Sequence, residues 1–158
     1  MRWGAEGLRG YAKVVYNVDL TLVEANRFRN TFFQSYPGIA AWHQAVKMKG
    51  GNEARTLSGR RRRWRGPAIT AELLNTPVQG TSADITKKAL GLLPQRLAGF
   101  GARIIGTVHD EIIIEVPERM ANNASVALRE TMIEAGKVFL SAVPVEVEVT
   151  IAENWAEK

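Results

Sequence analysis

The sequence predicts an α+β fold, in which an antiparallel sheet is packed on one face by helices. Three observations predict this class. The first third of the chain has helical start and stop signals. The stretch "GTVHDEIIIEVP" (106–117) places two acidic residues between apolar, β-branched runs, which predict paired strands. The C-terminal stretch "VPVEVEVTIA" (143–152) alternates apolar and polar residues, as a half-buried strand does.

The N-terminal helices are predicted from local signals. Thr21 and Glu24 form a capping box that opens a helix to about Tyr36. Pro37 suits the first turn of the next helix, which Gly50 and Gly51 end. The side chains expected to point inward from this second helix are Ile39, Trp42 and Val46.

A short hairpin and a long helix are predicted in the middle of the chain. Arg55–Leu57 and Arg62–Trp64 would pair around a turn at Ser58 and Gly59. The helix is expected from about Pro77 to Ala98. Its apolar positions at helical spacing are Val78, Ile85, Ala89, Leu92, Leu93 and Leu97.

The C-terminal part is predicted as a strand pair, a helix and a third strand. Ile104–Val108 and Ile112–Val116 are the strands, with Asp110 and Glu111 at their turn. A two-residue turn favours Asn-Gly or Asp-Gly, so Asp-Glu suits the placing of carboxylates better than turning. The helix is expected from about Glu118 to Leu140. Four residues of the last strand share one face: Val145, Val147, Val149 and Ile151.

Composition excludes several classes of protein and of site. The 158 residues suffice for one domain with a hydrophobic core, and no linker or repeat divides them. There is no cysteine and there are 2 histidines, which excludes disulfides, thiol catalysis and zinc sites built from these residues. No apolar run is long enough to cross a membrane and no signal peptide follows Met1. We therefore expect a cytoplasmic protein with no membrane partner.

The positive charge is concentrated in "ARTLSGRRRRWRGP" (54–67). The formal net charge is +5, and the six arginines of this stretch account for more than all of it. Arginine clusters bind phosphate oxygens and release counterions from a polyanion. Trp64 could stack on bases or sugars. The alternative interpretation is a solvated turn or a processing signal.

A pair of amides on the long helix is a second candidate binding feature. Asn75 and Gln79 lie four positions apart, and Gly80, Thr81, Ser82 and Ala83 follow them. Amide groups can donate to the acceptors that every base pair presents in the minor groove, while small residues would allow close approach. The alternative is helix capping around Pro77 with small-residue packing.

Taken together and in this order, three stretches and the C-terminus resemble the C-terminal part of the family A DNA polymerases. They are "TLSGRRRRW", "LLNTPVQGTSADITKKAL" and "GARIIGTVHDEIIIEVP", with "VEVTIAENW" at the end. The resemblance covers roughly Trp3 to Trp155. It implies part of a polymerase palm, with residues 1–50 as the helical base of the fingers and 51–158 as a palm segment, all within one partial polymerase domain.

The resemblance also implies roles for residues and partners. Asp110 would be a ligand of a two-magnesium site, and Glu111 a supporting acid. His109 would lie near the primer terminus, and Asn75 and Gln79 would contact the minor groove. The arginine run would follow the duplex backbone of primer–template DNA: Arg60, Arg61, Arg62 and Arg63. Deoxynucleoside triphosphates would be the substrates.

The resemblance further implies that part of the polymerase site is missing. The family's second metal-binding aspartate lies on an upstream strand, and neither Asp19 nor Asp84 has that setting. The fingers helix that grips the nucleotide is also absent. Ala71 replaces an arginine that many members carry on the primer side, and the segment between the arginine run and Asn75 is short.

Three interpretations follow from this incomplete site. The chain is a polymerase piece that works with an upstream polymerase half, a non-catalytic module that binds duplex DNA, or a truncated product without its own role. Asp110 and Glu111 favour the first, because a binding module does not need acids at a turn. Because a fingers helix and a central palm strand are missing, we expect an open sheet edge and exposed apolar surface. The isolated chain should therefore self-associate or need a partner.

Overall fold

The computed structural model describes residues 4–157, which form an α+β fold of five α-helices and four strands within that range. The chain divides into two compact units. The first takes the residues up to Ala54 together with Arg61–Pro77, and the second takes Arg55–Arg60 together with the residues from Val78 onward.

The first unit is mainly helical. Helix α1 (Ala5–Tyr16), which the sequence did not single out, precedes α2 (Leu22–Ser35) and α3 (Pro37–Lys49). The predicted capping box is confirmed: Thr21 Oγ1 accepts from Glu24 N at 3.2 Å, and Glu24 Oε2 accepts from Thr21 N at 2.8 Å. The buried apolar residues of this unit are Ala5, Ala12, Ala25, Leu73 and Leu74.

The prediction of which α3 side chains point inward is only partly confirmed. Ile39 and Val46 are half-buried, but Trp42 remains 38% exposed. No residue of α3 is buried. The main packing partner of this helix within the described residues is α2.

The arginine hairpin and the long helix both form, with shifted bounds. Strand β1 (Glu53–Arg55) pairs with β2 (Arg61–Arg63) around a turn in which Gly59 has φ +83°. Helix α4 spans Thr70–Leu97, so it begins seven residues before the predicted start at Pro77. Burial of Leu73 and Leu74 stabilises the added turns. Val78, one of the apolar positions at helical spacing, is 56% exposed.

The core of the second unit lies between α4, the strand pair and α5 (Ala121–Lys137). Its buried apolar residues are Ala89, Leu93, Leu97, Ile112, Ala124, Leu128 and Ala135. Strand β3 (Arg103–Val108) pairs antiparallel with β4 (Glu111–Glu115). The predicted helix at Glu118 begins as a single 3₁₀ turn, Glu118–Met120, and α5 ends three residues before Leu140.

The third predicted strand is not formed within residues 4–157. Residues 144–152 have no strand assignment, and the sheets are two separate pairs rather than one three-stranded sheet. The segment keeps its alternation only as far as Val149: Val145, Val147 and Val149 are half-buried and the residues between them are exposed, but Ile151 is 54% exposed. A strand requires a partner for its backbone groups, and none is joined to this segment in the described part of the chain.

No helix within residues 4–157 has the length and apolar character needed to cross a membrane.

Candidate functional site

The tip of the β3–β4 hairpin holds the acidic residues that the sequence singled out. Val108 pairs with Glu111, so the two turn residues are His109 and Asp110. The predicted turn at Asp110–Glu111 is therefore wrong by one residue, and Glu111 opens β4. All three side chains, His109, Asp110 and Glu111, are exposed. The hairpin thus presents a histidine and two carboxylates to solvent.

The backbone of this turn is constrained. His109 has φ +55°, a left-handed conformation that residues with a Cβ adopt at a steric cost. Thr107 Oγ1 donates to the carbonyl oxygen of Glu111 at 2.8 Å, which ties the two strands together at the base of the turn. The position of Asp110 is therefore fixed by the hairpin.

One extra residue in β3 determines which residues form the turn. Ile104 pairs with Ile114 but Gly106 pairs with Ile113, so Ile105 stands unpaired as a β-bulge. If the pairing of Ile104 with Ile114 continued without a bulge, the midpoint of the turn would fall on His109. The bulge shifts this midpoint to the peptide bond between His109 and Asp110.

The carboxylates at the β3–β4 turn are of a ligand type that magnesium prefers. Carboxylate oxygens are hard ligands, and Mg²⁺ is commonly held by one or two of them together with substrate phosphates and water. Within residues 4–157, no group of three or more His, Cys, Asp or Glu side chains could form a metal site. Asp110 and Glu111 can therefore supply part of a ligand set, but not a closed protein cage.

The two predicted amides lie on α4, and both Asn75 and Gln79 are exposed. The small residues after them do not form the smooth open patch that the sequence suggested. Thr81 is buried. A Cβ added to Gly80 would lie 2.5 Å from Thr56 Cγ2, so the arginine hairpin already covers this position. Gly80 and Thr81 serve the packing of that hairpin.

Three arginines of the run, Arg61–Arg63, are held by carboxylates of the first unit. Arg63 Nε donates to Glu53 Oε2 at 2.8 Å, and Arg61 Nη1 lies 3.9 Å from the same oxygen. Arg62 Nη2 donates to Glu72 Oε1 at 3.4 Å, and its guanidinium lies 4.7 Å from the centre of the Trp64 ring. Because these arginine side chains are 50–67% exposed, such pairs are weak and a phosphate can compete for them.

The remaining arginine of the run, Arg60, belongs to the second unit and has a different environment. Its Nε donates to Asp84 Oδ1 at 2.7 Å, and its Nη2 donates to the carbonyl oxygen of Gly80 at 3.0 Å. Asp84 is buried and also accepts from Ser58 Oγ at 2.6 Å. From the sequence, Asp84 lies within the predicted long helix, and no partner is predicted for it.

Of the two other aspartates, Asp19 has a local role. Lys13 Nζ donates to Asp19 Oδ2 at 2.6 Å, and both side chains are exposed. An exposed pair of this kind contributes little to stability. Asp110 is thus the one aspartate that lies at an exposed strand turn within the described residues.

These features are those of an α+β fold that exposes arginines, a side chain suited to phosphate, and carboxylates, a side chain suited to a divalent cation. The family model for DNA polymerase family A matches residues 9–157. The chain therefore belongs to DNA polymerase family A, as the resemblance implied, and its α+β fold agrees with the palm assignment.

Curated relatives and a solved structure support the family. The chain is 38% identical to DNA polymerase I of Aquifex aeolicus (strain VF5) over 97% of its length, and 39% identical to the thermostable DNA polymerase I of Thermus filiformis over 85%. The POL domain of Pol1 from M. smegmatis, in complex with DNA primer-template and dNTP, superposes with a TM-score of 0.71 at 27% identity over 85% of this chain.

The match covers only part of each of these proteins. The chain spans 27% of the Aquifex polymerase, 17% of the Thermus polymerase and 25% of the M. smegmatis chain.

Proposed function

We propose that this chain contributes the Asp110 hairpin to template-directed nucleotidyl transfer by a DNA polymerase, and that it acts together with an upstream polymerase half. The observation that carries the proposal is the exposed His109–Asp110 turn in a chain that belongs to DNA polymerase family A. A module that only bound duplex DNA would have no use for carboxylates at this turn.

The hairpin supplies the chemistry of the proposed site. Asp110 would hold Mg²⁺ with Glu111 in support, and the bound ion would supply activation of the primer 3′-hydroxyl and neutralisation of charge on the triphosphate. His109 would contact the primer terminus from the same turn. The turn is fixed by its bulge and its hydrogen bond, so Asp110 would be positioned before substrate binds.

The remaining predicted residues would bind primer–template DNA. The exposed amides of Asn75 and Gln79 can donate to minor-groove acceptors without reading sequence. Arg60, Arg61, Arg62 and Arg63 would contact backbone phosphates. Deoxynucleoside triphosphate would be the second substrate, as it is present in the complex of the M. smegmatis polymerase.

The upstream half would supply what the described residues lack. A two-metal site needs a second aspartate, and residues 4–157 contain no cluster of three metal-ligating side chains. Residues 144–152 have no strand assignment and hydrogen-bond to no strand within the described range, and Val145, Val147 and Val149 are half-buried. An unpaired segment with this alternation could pair with a strand from another chain.

Magnesium-dependent primer extension tests this proposal. The chain would be assayed alone and with an upstream family A half that supplies the missing aspartate. We expect extension only in the mixture, and its loss in Asp110→Asn. Glu115→Gln is the matched control, because it removes an exposed acid from β4 at the opposite end from the turn and should leave extension unchanged.

The other outcomes discriminate between the remaining interpretations. Extension by the chain alone, abolished by Asp110→Asn, would contradict the need for an upstream half. Duplex binding without extension, even in the mixture, would favour the non-catalytic binding module. Neither binding nor extension would favour a truncated product.

A further inference from the structure

Within residues 4–157, Asp84 is the one charged side chain that is buried, at 8% exposure. Its carboxylate faces the tip of the arginine hairpin, from which Ser58 Oγ donates at 2.6 Å and Arg60 Nε at 2.7 Å. A buried carboxylate is costly unless it is paired and hydrogen-bonded, and both conditions are met here. Nothing in the proposed chemistry uses this group.

The hairpin tip is docked on α4 at several points within one turn of the helix. Leu57 N donates to Thr81 Oγ1 at 3.0 Å, and Arg60 Nη2 donates to the carbonyl oxygen of Gly80 at 3.0 Å. Thr56 packs so closely over Gly80 that a Cβ there would collide with it. The tip also closes on itself, because Thr56 N donates to the carbonyl oxygen of Arg60 at 3.0 Å.

These contacts fix the orientation of one guanidinium. Two of the three nitrogens of Arg60, Nε and Nη2, are engaged by Asp84 and Gly80. The side chain is nevertheless 47% exposed, and its Nη1 makes no hydrogen bond to the described residues, which leaves that nitrogen available to a ligand. A guanidinium whose rotamer is already fixed loses less conformational entropy when it binds a phosphate.

We propose that Asp84 is a positioning residue for duplex binding, which holds Arg60 so that its Nη1 edge meets a backbone phosphate. The inference rests on the proposed function, because it assumes that the chain binds primer–template DNA. Under this proposal Arg60 differs from Arg61–Arg63, because its carboxylate partner is buried and fixes its orientation.

The sign of the effect of Asp84→Ala distinguishes positioning from simple electrostatics. Removing a negative charge near a polyanion site should strengthen DNA binding if charge alone matters. Positioning requires the opposite, because an unheld Arg60 loses its fixed geometry. We expect Asp84→Ala and Arg60→Ala each to weaken binding of a primer–template duplex by about tenfold, the size of one charged hydrogen bond.

A double-mutant cycle separates positioning from a structural role. If Asp84 acts through Arg60, Asp84→Ala should cost no further affinity once Arg60→Ala is present. If it acts only by docking the hairpin through Ser58, the two losses should add. Arg60→Ala should also lower the slope of log Kobs against log salt by about 1.

Two variants serve as controls. Glu134→Ala removes an exposed acid that pairs with Arg96 at 2.7 Å, so it changes charge equally and should not weaken binding. Asp84→Asn keeps the shape of the side chain and is the fallback if Asp84→Ala fails to fold. It should retain part of the affinity, because its amide oxygen can still accept from Arg60.

The contact between Asp84 and Arg60 can also be measured without DNA, by NMR. The Nε–H of Arg60 should exchange slowly with solvent in ¹⁵N NMR spectra of the wild type and rapidly in Asp84→Ala, while Arg96 is unaffected. Suppose that the wild type binds the duplex, but Asp84→Ala binds it more tightly or the losses from Asp84→Ala and Arg60→Ala add. Either result would overturn the role of Asp84 and leave the proposed function standing. No duplex binding by the wild type would overturn the proposed function and this inference with it.

Discussion

Asp84 and Asp110 are both aspartates, yet their surroundings suit them to opposite tasks. Burial alone would raise the pKa of Asp84, but hydrogen bonds from Ser58, Thr56 and Arg60 and the charge of Arg60 outweigh burial and lower that pKa. The oxygens of Asp84 are occupied by these donors. Asp110 lies exposed on a turn, where its oxygens can reach a cation.

The lowered pKa of Asp84 predicts how stability depends on pH. An unfolded aspartate titrates near 3.9, so the paired carboxylate stabilises the fold fully above about pH 5. This contribution is lost as the pH falls below about 4, through the lower pKa of the folded state. We expect the difference in unfolding free energy between wild type and Asp84→Asn to be constant above about pH 5 and to shrink below about pH 4. Urea unfolding across this range measures it, and a difference that does not change would contradict the pairing.

The left-handed backbone of His109 predicts a difference between two substitutions. Glycine adopts φ +55° without steric cost, whereas alanine keeps the Cβ that causes the cost. We expect His109→Gly to be more stable than His109→Ala by about 1 kcal/mol in chemical unfolding. Both variants lack the imidazole, so they should lose primer extension to the same extent. Equal stabilities would show that the turn is not strained at this residue.

At the scale of single residues, the sequence predicted the acidic tip but not its register or its neighbours. The sequence predicts a turn at Asp110 because the apolar runs that indicate the two strands flank it directly. The bulge at Ile105, which shifts that turn by one residue, has no local motif. The role of Asp84 was missed because its partners Ser58 and Arg60 lie 26 and 24 positions away along the chain.

At the scale of elements, signals confined to a few adjacent residues were reliable. The capping box at Thr21 and the proline at Pro37 gave the starts of α2 and α3 to within a residue. Elements that depend on distant partners were less predictable. The early start of α4 follows from burial of Leu73 and Leu74. The last segment has no strand assignment because it hydrogen-bonds to no strand in residues 4–157.

The packing of the last segment on α5 predicts opposite effects for two glycines. A Cβ at Gly136 would lie 2.6 Å from Val145 Cγ1, whereas a Cβ at Gly91 of α4 would meet nothing within 4 Å. We expect Gly136→Ala to lower the free energy of unfolding by about 1–3 kcal/mol through overpacking. Gly91→Ala should raise it by about 0.5–1 kcal/mol, because alanine favours the helix. Thermal unfolding of both variants measures this, and stabilisation by Gly136→Ala would show that Val145 does not pack there.

At the scale of the whole molecule, the described chain leaves much apolar surface exposed. Val14 and Val23 of the first unit are 85% and 79% exposed, and Phe28, Phe32 and Tyr36 are each about half exposed. Single exposed apolar residues are common, but such a concentration on α1 and α2 is typical of a surface that another protein part covers. The curated relatives are several times longer than the match, which is consistent with such cover.

This exposure predicts the behaviour of the isolated chain. We expect it to self-associate in light scattering and to bind a hydrophobic dye, and both signals should fall when the upstream half is added. A Val14→Ser, Val23→Ser double variant should bind less dye, because it removes the two most exposed valines of α1 and α2. Each change should alter the unfolding free energy by no more than about 0.5 kcal/mol, since neither residue is buried. A monodisperse monomer that binds no dye would contradict the prediction, and with it the physical reason for requiring a partner.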